Sequence, residues 1–283
     1  MSTVDYLVER PWDVDETVSE YRSRMRPKLP TAYSGWQHLL MLLLVTALGT
    51  MVPLAAWSCN ASARWIELVI VPCTLMYTNV VEYMIHRYGG HDHHIGVRPK
   101  ALQLVRFYHA VVHHTFFGDG AALHAEDPET DLFFILFPTS VYTCWAMLAS
   151  VPLALCSYGQ IAALLLAGSS GGDMGGEQQK WCVLGLSLSS AVQLFCATVS
   201  FSLLQYEVMH CFHHGALPAS ANAVLARFPP AVAARQRHEL HHSGHRDACY
   251  NITWPLADAL FGTLRATPPG LDTSQSGGAT CNR

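Results

Sequence analysis

The chain has 283 residues, of which 51% are hydrophobic and only 13% charged, and its formal net charge is -4 with histidine neutral. An average soluble domain is about a quarter charged, so the deficit points to a membrane. The weakly acidic balance gives no electrostatic case for nucleic acid as a partner, and the length allows one large domain or two small ones.

Residues 1–35 are polar and are expected to form a cytosolic N-terminal segment with a short helix near "VDETVSEYRSRM". Its acidic start does not have the character of a cleavable signal peptide. The run from 36 to 57 contains no Asp, Glu, Lys or Arg and is long enough to cross a bilayer. A second run, 65–86, carries Glu67 and Glu82 near its ends, where a charge costs least. The short "SCNASAR" between the two runs makes them a helical hairpin. Residues 87–130 are polar, 131–168 are apolar with one charge at Asp131, 169–180 are Gly-rich, and 181–210 form a further apolar block. Residues 266–283 read as a disordered tail.

The nine cysteines include no C-x-x-C pair and are expected to be reduced, behaving as small hydrophobes. Basic residues set the orientation. Arg22, Arg24, Arg26 and Lys28 precede the first run, Arg87, Arg98, Lys100 and Arg106 follow the second, and Arg227, Arg235, Arg237 and Arg246 follow the last. These segments are expected on the cytosolic side.

Of the 16 histidines, 15 lie between 86 and 245. "HRYGGHDHH" supplies His86, His91, His93 and His94; "YHAVVHH" supplies His109, His113 and His114. "HCFHH" supplies His210, His213 and His214; "HELHH" supplies His238, His241 and His242, with His245 beyond. On an α-helix, residues three and four apart share a face. His238 is therefore expected to face His241 and His242, His210 to face His213 and His214, and His109 to pair with His113. An adjacent HH pair diverges by about 100°, so its two rings can serve two different metals. Gly89 and Gly90 are expected to turn the chain and return His91 to the centre of His86. A structural zinc closes with about four ligands. So many imidazoles exceed one ion, and two metals with about four or five each is the simplest use. Glu82, Glu207 and Glu239 are expected to orient rings. His38 and His124 are expected to be ordinary surface or capping residues.

Other uses of the pattern are weaker. A haem protein would hold its histidine pairs at membrane depth, whereas here only His86 and His210 end apolar runs. A transporter would place polar ligands within its spans, and these spans lack them. The Gly-rich stretch has no strand before it, which argues against a phosphate loop.

The set H-x4-H, H-x3-HH, H-x2-HH and H-x2-HH beside paired apolar runs resembles the fatty acid hydroxylase/sterol desaturase superfamily. The tail "NITWPLADALFGT" is similar to that family's D-x-x-F-G-T ending, here Asp258, Phe261, Gly262 and Thr263. The resemblance covers about residues 65–265. It implies an all-α integral membrane protein with about four transmembrane helices and a cytosolic histidine-rich helical cap holding a dimetal centre. The membrane-embedded domain would run from 36 to 265. By motif match, the implied ligands are His86, His91, His109, His113, His114, His210, His213, His214, His238, His241 and His242. The implied cofactors are two iron ions, replaceable by zinc in purified protein, with O2 as co-substrate. The implied reaction is hydroxylation of a fatty acyl chain or sterol, the alternatives being a desaturase or a non-enzymatic membrane metal-binding or transport protein. With no fused cytochrome segment read in the chain, electrons are expected from a separate donor such as cytochrome b5 or ferredoxin. Arg98, Lys100, Arg235 and Arg237 are candidates to dock it, although they also satisfy the positive-inside rule alone. The membrane would be the endoplasmic reticulum in a eukaryote or the inner membrane in a bacterium.

For the boxes at 86–114 and 210–242 to build one site, the chain must cross an even number of times between them. The expected path is one crossing over about 131–153, an interfacial helix over 154–168 and a return through 181–209. That gives four spans with both termini cytosolic.

Overall fold

The computed structural model describes residues 16–59, 65–91, 100–136, 182–183 and 186–265. Regular structure among them is helical, apart from an antiparallel pairing of β1 (Cys182–Val183) with β2 (Leu186–Ser187).

Helix α1 (Val18–Met25) starts at a capping box. Glu20 N–H donates to Thr17 Oγ1 at 3.3 Å and Thr17 N–H donates to Glu20 Oε2 at 2.8 Å, so two amide donors that the first turn would leave open are satisfied. Helix α2 (Gly35–Ser58) has 24 residues, or roughly 36 Å at 1.5 Å per residue, against a hydrocarbon core of about 30 Å. Leu40, Met41, Leu44, Val45, Leu48, Met51 and Val52 are each at least half exposed. So much contiguous apolar surface is unfavourable in water and suits lipid.

Helix α3 (Ile70–Met84) is entered by a 3₁₀ turn, Trp65–Val69, and continues without a break into a π-helical turn, Ile85–His91. Helix α4 (Lys100–Arg106) likewise runs into a π-helical turn, Phe107–His113, and then α5 (His114–Phe116). Beyond these lie α6 (Pro128–Ile135), α7 (Leu188–His213), α8 (Ala219–Leu225), α9 (Pro229–His242) and α10 (Leu256–Leu260). Gly262, at φ +71°, takes the left-handed conformation that lets the chain leave α10.

Among the described residues, three helical segments are long and apolar enough to cross a membrane: Gly35–Ser58, Trp65–His91 and Ser190–His213. This is compatible with an integral membrane protein. The four-span path is not reproduced as expected at 131. Asp131 is fully buried and bound by Arg26, and the helix that contains it ends at Ile135 after eight residues. A buried carboxylate with a cationic partner belongs to a packed core rather than to the mouth of a span. The rest of that crossing, the 154–168 interfacial helix, the Gly-rich loop and the 266–283 tail lie outside the described residues.

The chain divides into two compact units. The first draws on 1–42, 82–136 and 205–283, the second on 43–81 and 137–204. In the second unit, Gly49 meets Ser200 so closely that an added Cβ would lie 2.6 Å from its Oγ, and Thr78 Oγ1 donates to Ser202 Oγ at 3.0 Å. Small residues and hydroxyl pairs are how helices associate in lipid, where burial of apolar surface gives no drive. Trp57 Nε1 donates to the buried Glu67 at 3.2 Å. Cys59, Cys73, Cys196, Cys211 and Cys249 are free thiols, in line with reduced cysteines.

Candidate metal centre

The first unit contains all four histidine boxes. None of the eleven predicted ligand histidines is more than 7% exposed. Nine of them fall into two groups whose ligand nitrogens lie within 4.8 Å of one another: His86, His91, His109, His114 and His241, and His113, His210, His214 and His238. Across a metal with bonds of about 2.1 Å, opposite nitrogens stand roughly 4.2 Å apart. The rings need only draw in by a few tenths of an ångström.

Local structure explains the partition. The two π-helical turns widen the spacing at which side chains meet. The His114 N–H bonds to the His109 carbonyl, five residues back, and His109 Nε2 lies 3.2 Å from His114 Nε2. His113 is thereby turned into the other group, where its Nε2 lies 3.3 Å from His210 Nε2. The expected pairing of His109 with His113 is thus corrected: adjacent His113 and His114 split between the groups, and His109 goes with His114. His238 and His241 also separate, although they are three apart on an ordinary helix. The expected chain reversal at Gly89–Gly90 is corrected too. The helix continues through both glycines, and His91 reaches the centre of His86 because it is five residues on in a π-turn. Gly90 is needed for a different reason: a Cβ there would lie 3.0 Å from His109 Cδ2 and 3.6 Å from His86 Cδ2.

Main-chain carbonyls, not carboxylates, orient five rings. His86 donates from Nδ1 to the Tyr250 carbonyl, His241 to Ala248 at 2.7 Å, His113 to Phe134 at 2.8 Å, His214 to Leu123 at 2.8 Å and His242 to Phe117 at 2.6 Å. A carbonyl can only accept, so each Nδ1 carries the proton and each Nε2 a lone pair. Glu82, expected to orient a ring, instead accepts the Ile252 and Thr253 N–H groups and the Thr253 hydroxyl. Those three donors claim the carboxylate. Glu207 is buried and Glu239 half-buried.

The converging nitrogens are in conflict without a cation. His91 Nε2 lies 3.0 Å from both His241 Nε2 and His109 Nε2, and the latter lies 3.2 Å from His114 Nε2. Each Nε2 has one in-plane orbital, holding either a proton or a lone pair. His91 Nε2 and His109 Nε2 each stand in two of these contacts with a single orbital apiece, so the contacts along this row cannot all be full two-centre hydrogen bonds. A shared metal would satisfy every one. His86 Nε2, also in this group, is buried without a hydrogen-bond partner. Burial is the largest cause that holds His109, His114, His214, His238, His241 and His242 well below the ordinary imidazole range, and it brings His113 down to about 4. The rings are therefore neutral at physiological pH, the form that binds metal. The donor set is imidazole, which suits iron, copper, zinc and nickel.

Two predicted ligands fall outside both groups. The His242 ring stacks on His114 at 4.1 Å and packs 4.6 Å from His238, so it lies between the groups, and its Nε2 is buried without a partner. His213 is fully buried with neither ring nitrogen bonded, its ring 4.9 Å from that of His238. Among the additional histidines, His38 contacts Tyr33, the His124 carbonyl accepts from Arg22, and His245 is exposed. His93, His94 and Arg98 lie outside the described residues. Arg235 bonds the Phe212 carbonyl and stacks 4.1 Å over its ring, so it serves packing beside the third box.

Sequence reasoning missed Arg22, which is 1% exposed. Its charge had a sufficient explanation in the positive-inside pattern, and nothing local marks it as buried. Compared with family models, with curated proteins and with solved structures, the chain matches none.

Proposed function

We propose that the chain is a membrane metalloprotein with two metal positions and, more specifically, an oxygenase that hydroxylates a lipid, a fatty acyl chain or a sterol, with O2 as co-substrate. The observation that carries this reading is the convergence of nine buried histidine nitrogens into groups of five and four, in a chain with three membrane-length helices. The box spacing, through its resemblance to the fatty acid hydroxylase/sterol desaturase superfamily, supports iron at both positions, with zinc as a replacement in purified protein.

When bound, two irons supply the oxidising power that an unactivated C–H bond requires and that no side chain possesses. The protein does the rest. The Tyr250, Ala248, Phe134 and Leu123 carbonyls hold His86, His241, His113 and His214 in the tautomer that presents Nε2. Burial keeps the rings neutral and excludes water. The three apolar helices would hold the chain in the bilayer, where a lipid substrate resides. In the overall reaction one oxygen atom enters the C–H bond and the other leaves as water, consuming two electrons and two protons. The electrons come from a separate carrier such as cytochrome b5 or ferredoxin. The positive-inside pattern supports a cytosolic location for the histidine-bearing segments, in the endoplasmic reticulum of a eukaryote or the inner membrane of a bacterium.

The test is lipid mass spectrometry of cells with and without the protein, grown under isotopically labelled O2. A lipid that gains one labelled oxygen supports the proposal. Loss of two hydrogens without label makes the chain a desaturase. No O2-dependent change in any lipid, with metal bound, refutes an oxygenase and leaves a metal-binding or transport protein.

A further inference from the structure

We infer that each histidine group is braced by its own hydrogen-bonded clamp, one from the C-terminal side and one from the N-terminal side, so that either metal position can be weakened without the other. The inference rests on the metal-binding part of the proposed function and is independent of the reaction.

The first clamp serves the group of His86. Both rings of that group with a described Nδ1 partner, His86 and His241, lean on carbonyls of one short segment, at Tyr250 and Ala248. That segment has no regular structure of its own, so its position depends on what holds it. Asp258, fully buried, accepts from Tyr250 N–H at 2.9 Å, from Asn251 N–H at 2.8 Å and from the Thr263 hydroxyl at 2.7 Å. Its own N–H donates to Asn251 Oδ1 at 3.0 Å. Glu82, one helical turn before His86, accepts from Ile252 and Thr253. Between the two orienting carbonyls sits Cys249 at φ 55°, the one non-glycine residue with positive φ among those described. Such a conformation is strained and persists only where its surroundings over-determine it. Here it aims the carbonyls of its two neighbours, Ala248 and Tyr250, at two different rings.

The second clamp serves the group of His113. Its orienting carbonyls, Phe134 for His113 and Leu123 for His214, belong to the stretch 116–136. Arg22 reaches into that stretch from α1. Its Nε donates to the Phe116 carbonyl at 2.8 Å, its Nη2 to the Ala122 and His124 carbonyls, and its Nη1 pairs with Glu126 at 2.9 Å. Arg26 grips Asp131 with two bonds, at 2.9 and 3.0 Å, on the helix that ends beside Phe134. A guanidinium satisfying three carbonyls is a planar fork that lysine cannot reproduce. Asp258, Glu82, Arg22 and Arg26 touch no ring in either group by a described bond. They are positioning residues that act through the main chain.

The experiment measures zinc per chain, and zinc affinity against a competing chelator, on the full chain purified in detergent. The unaltered chain should hold two zinc ions. Asp258→Asn replaces one acceptor with an NH2 group that faces an N–H. Arg22→Lys removes the fork. Each should weaken one position by about 10- to 100-fold, the loss seen when an orienting partner is removed, and leave the other unchanged. Pairing with His91→Ala and His210→Ala identifies which position is lost, because each deletes a ligand from one group only. Asp258→Asn with His91→Ala should keep one position at the affinity of the unaltered chain, and with His210→Ala neither; Arg22→Lys should show the reverse. Where either variant fails to run as a monodisperse helical protein, Thr263→Val and Arg26→Lys loosen the same clamps by fewer bonds. Two ions at unaltered affinity in the variants overturn the clamps while the metal reading stands. Loss of both ions together in a folded variant overturns their independence. No zinc in the unaltered chain removes the metal reading, and this inference with it.

Discussion

Gly90→Ala isolates the packing of one metal position. The added Cβ would lie 3.0 Å from His109 Cδ2, against about 3.5–4.0 Å for an unstrained carbon contact. The His109 ring, buried and hemmed by His91 and His114, must retreat by roughly half an ångström. That exceeds the ~0.2 Å within which metal-ligand distances are held. Overpacking of this kind costs about 1–3 kcal/mol. Replacing a helical glycine by alanine returns about 0.5–1 kcal/mol of backbone entropy. Overpacking wins, and the net penalty falls on the geometry that gathers His86, His91 and His109. A residue of about 1–2 kcal/mol corresponds to roughly a tenfold weaker zinc dissociation constant at that position alone. Competition titration of the detergent-solubilised chain measures it. Gly49→Ala is the control: its Cβ would press on Ser200, which bears no ring, so it should destabilise the protein while both zinc sites keep their affinity. Two zinc ions bound to Gly90→Ala at unaltered affinity would show that the π-turn glycine has no part in ring placement.

The remaining expectations follow from burial and from the partition of the rings. His113 titrates near 4 in the fold and near 6.5 in an unfolded chain, so the unfolded state binds more protons between these values and stability rises with pH there. The thermal midpoint of the zinc-free protein should therefore fall as the pH is lowered from about 6.5 toward 4; a flat or rising midpoint contradicts the neutral-ring assignment. His91→Ala and His210→Ala should each weaken zinc at one position and leave the other at its original affinity, because each residue belongs to one group. His213→Ala should keep both zinc ions, as His213 lies outside both groups; loss of an ion there would show that the ring swings into the His238 group on metal binding.

How much of this could be read from the sequence depends on which regularity a residue obeys. The apolar runs were legible because a span needs only length and the absence of charge, and α2 occupies 35–58 where 36–57 was expected. The burial of Asp131, at the start of the crossing expected over about 131–153, was not, because hydropathy cannot see that Arg26, more than a hundred residues earlier, binds it; the rest of that crossing lies outside the described residues. The histidine boxes were legible as a number of ligands, since imidazoles in that quantity exceed one ion. Their division was not. Spacing arguments assume the α-helical period, under which His109 and His113 share a face. Both the first and second boxes adopt the wider π-turn, and an H-x4-H pair such as His86 and His91 converges on one position only there. The order of inference can then be reversed. On a regular α-helix, residues five apart diverge by about 140°, so rings at that spacing gather only if the backbone departs from the α form. Such a departure sacrifices helix geometry and is frequent at functional sites. Two of them, each centred on a histidine box and each supported by clamps on different parts of the chain, are hard to account for as packing alone. They are what a backbone would adopt if the positions of the ring nitrogens, rather than the helix, had to be preserved.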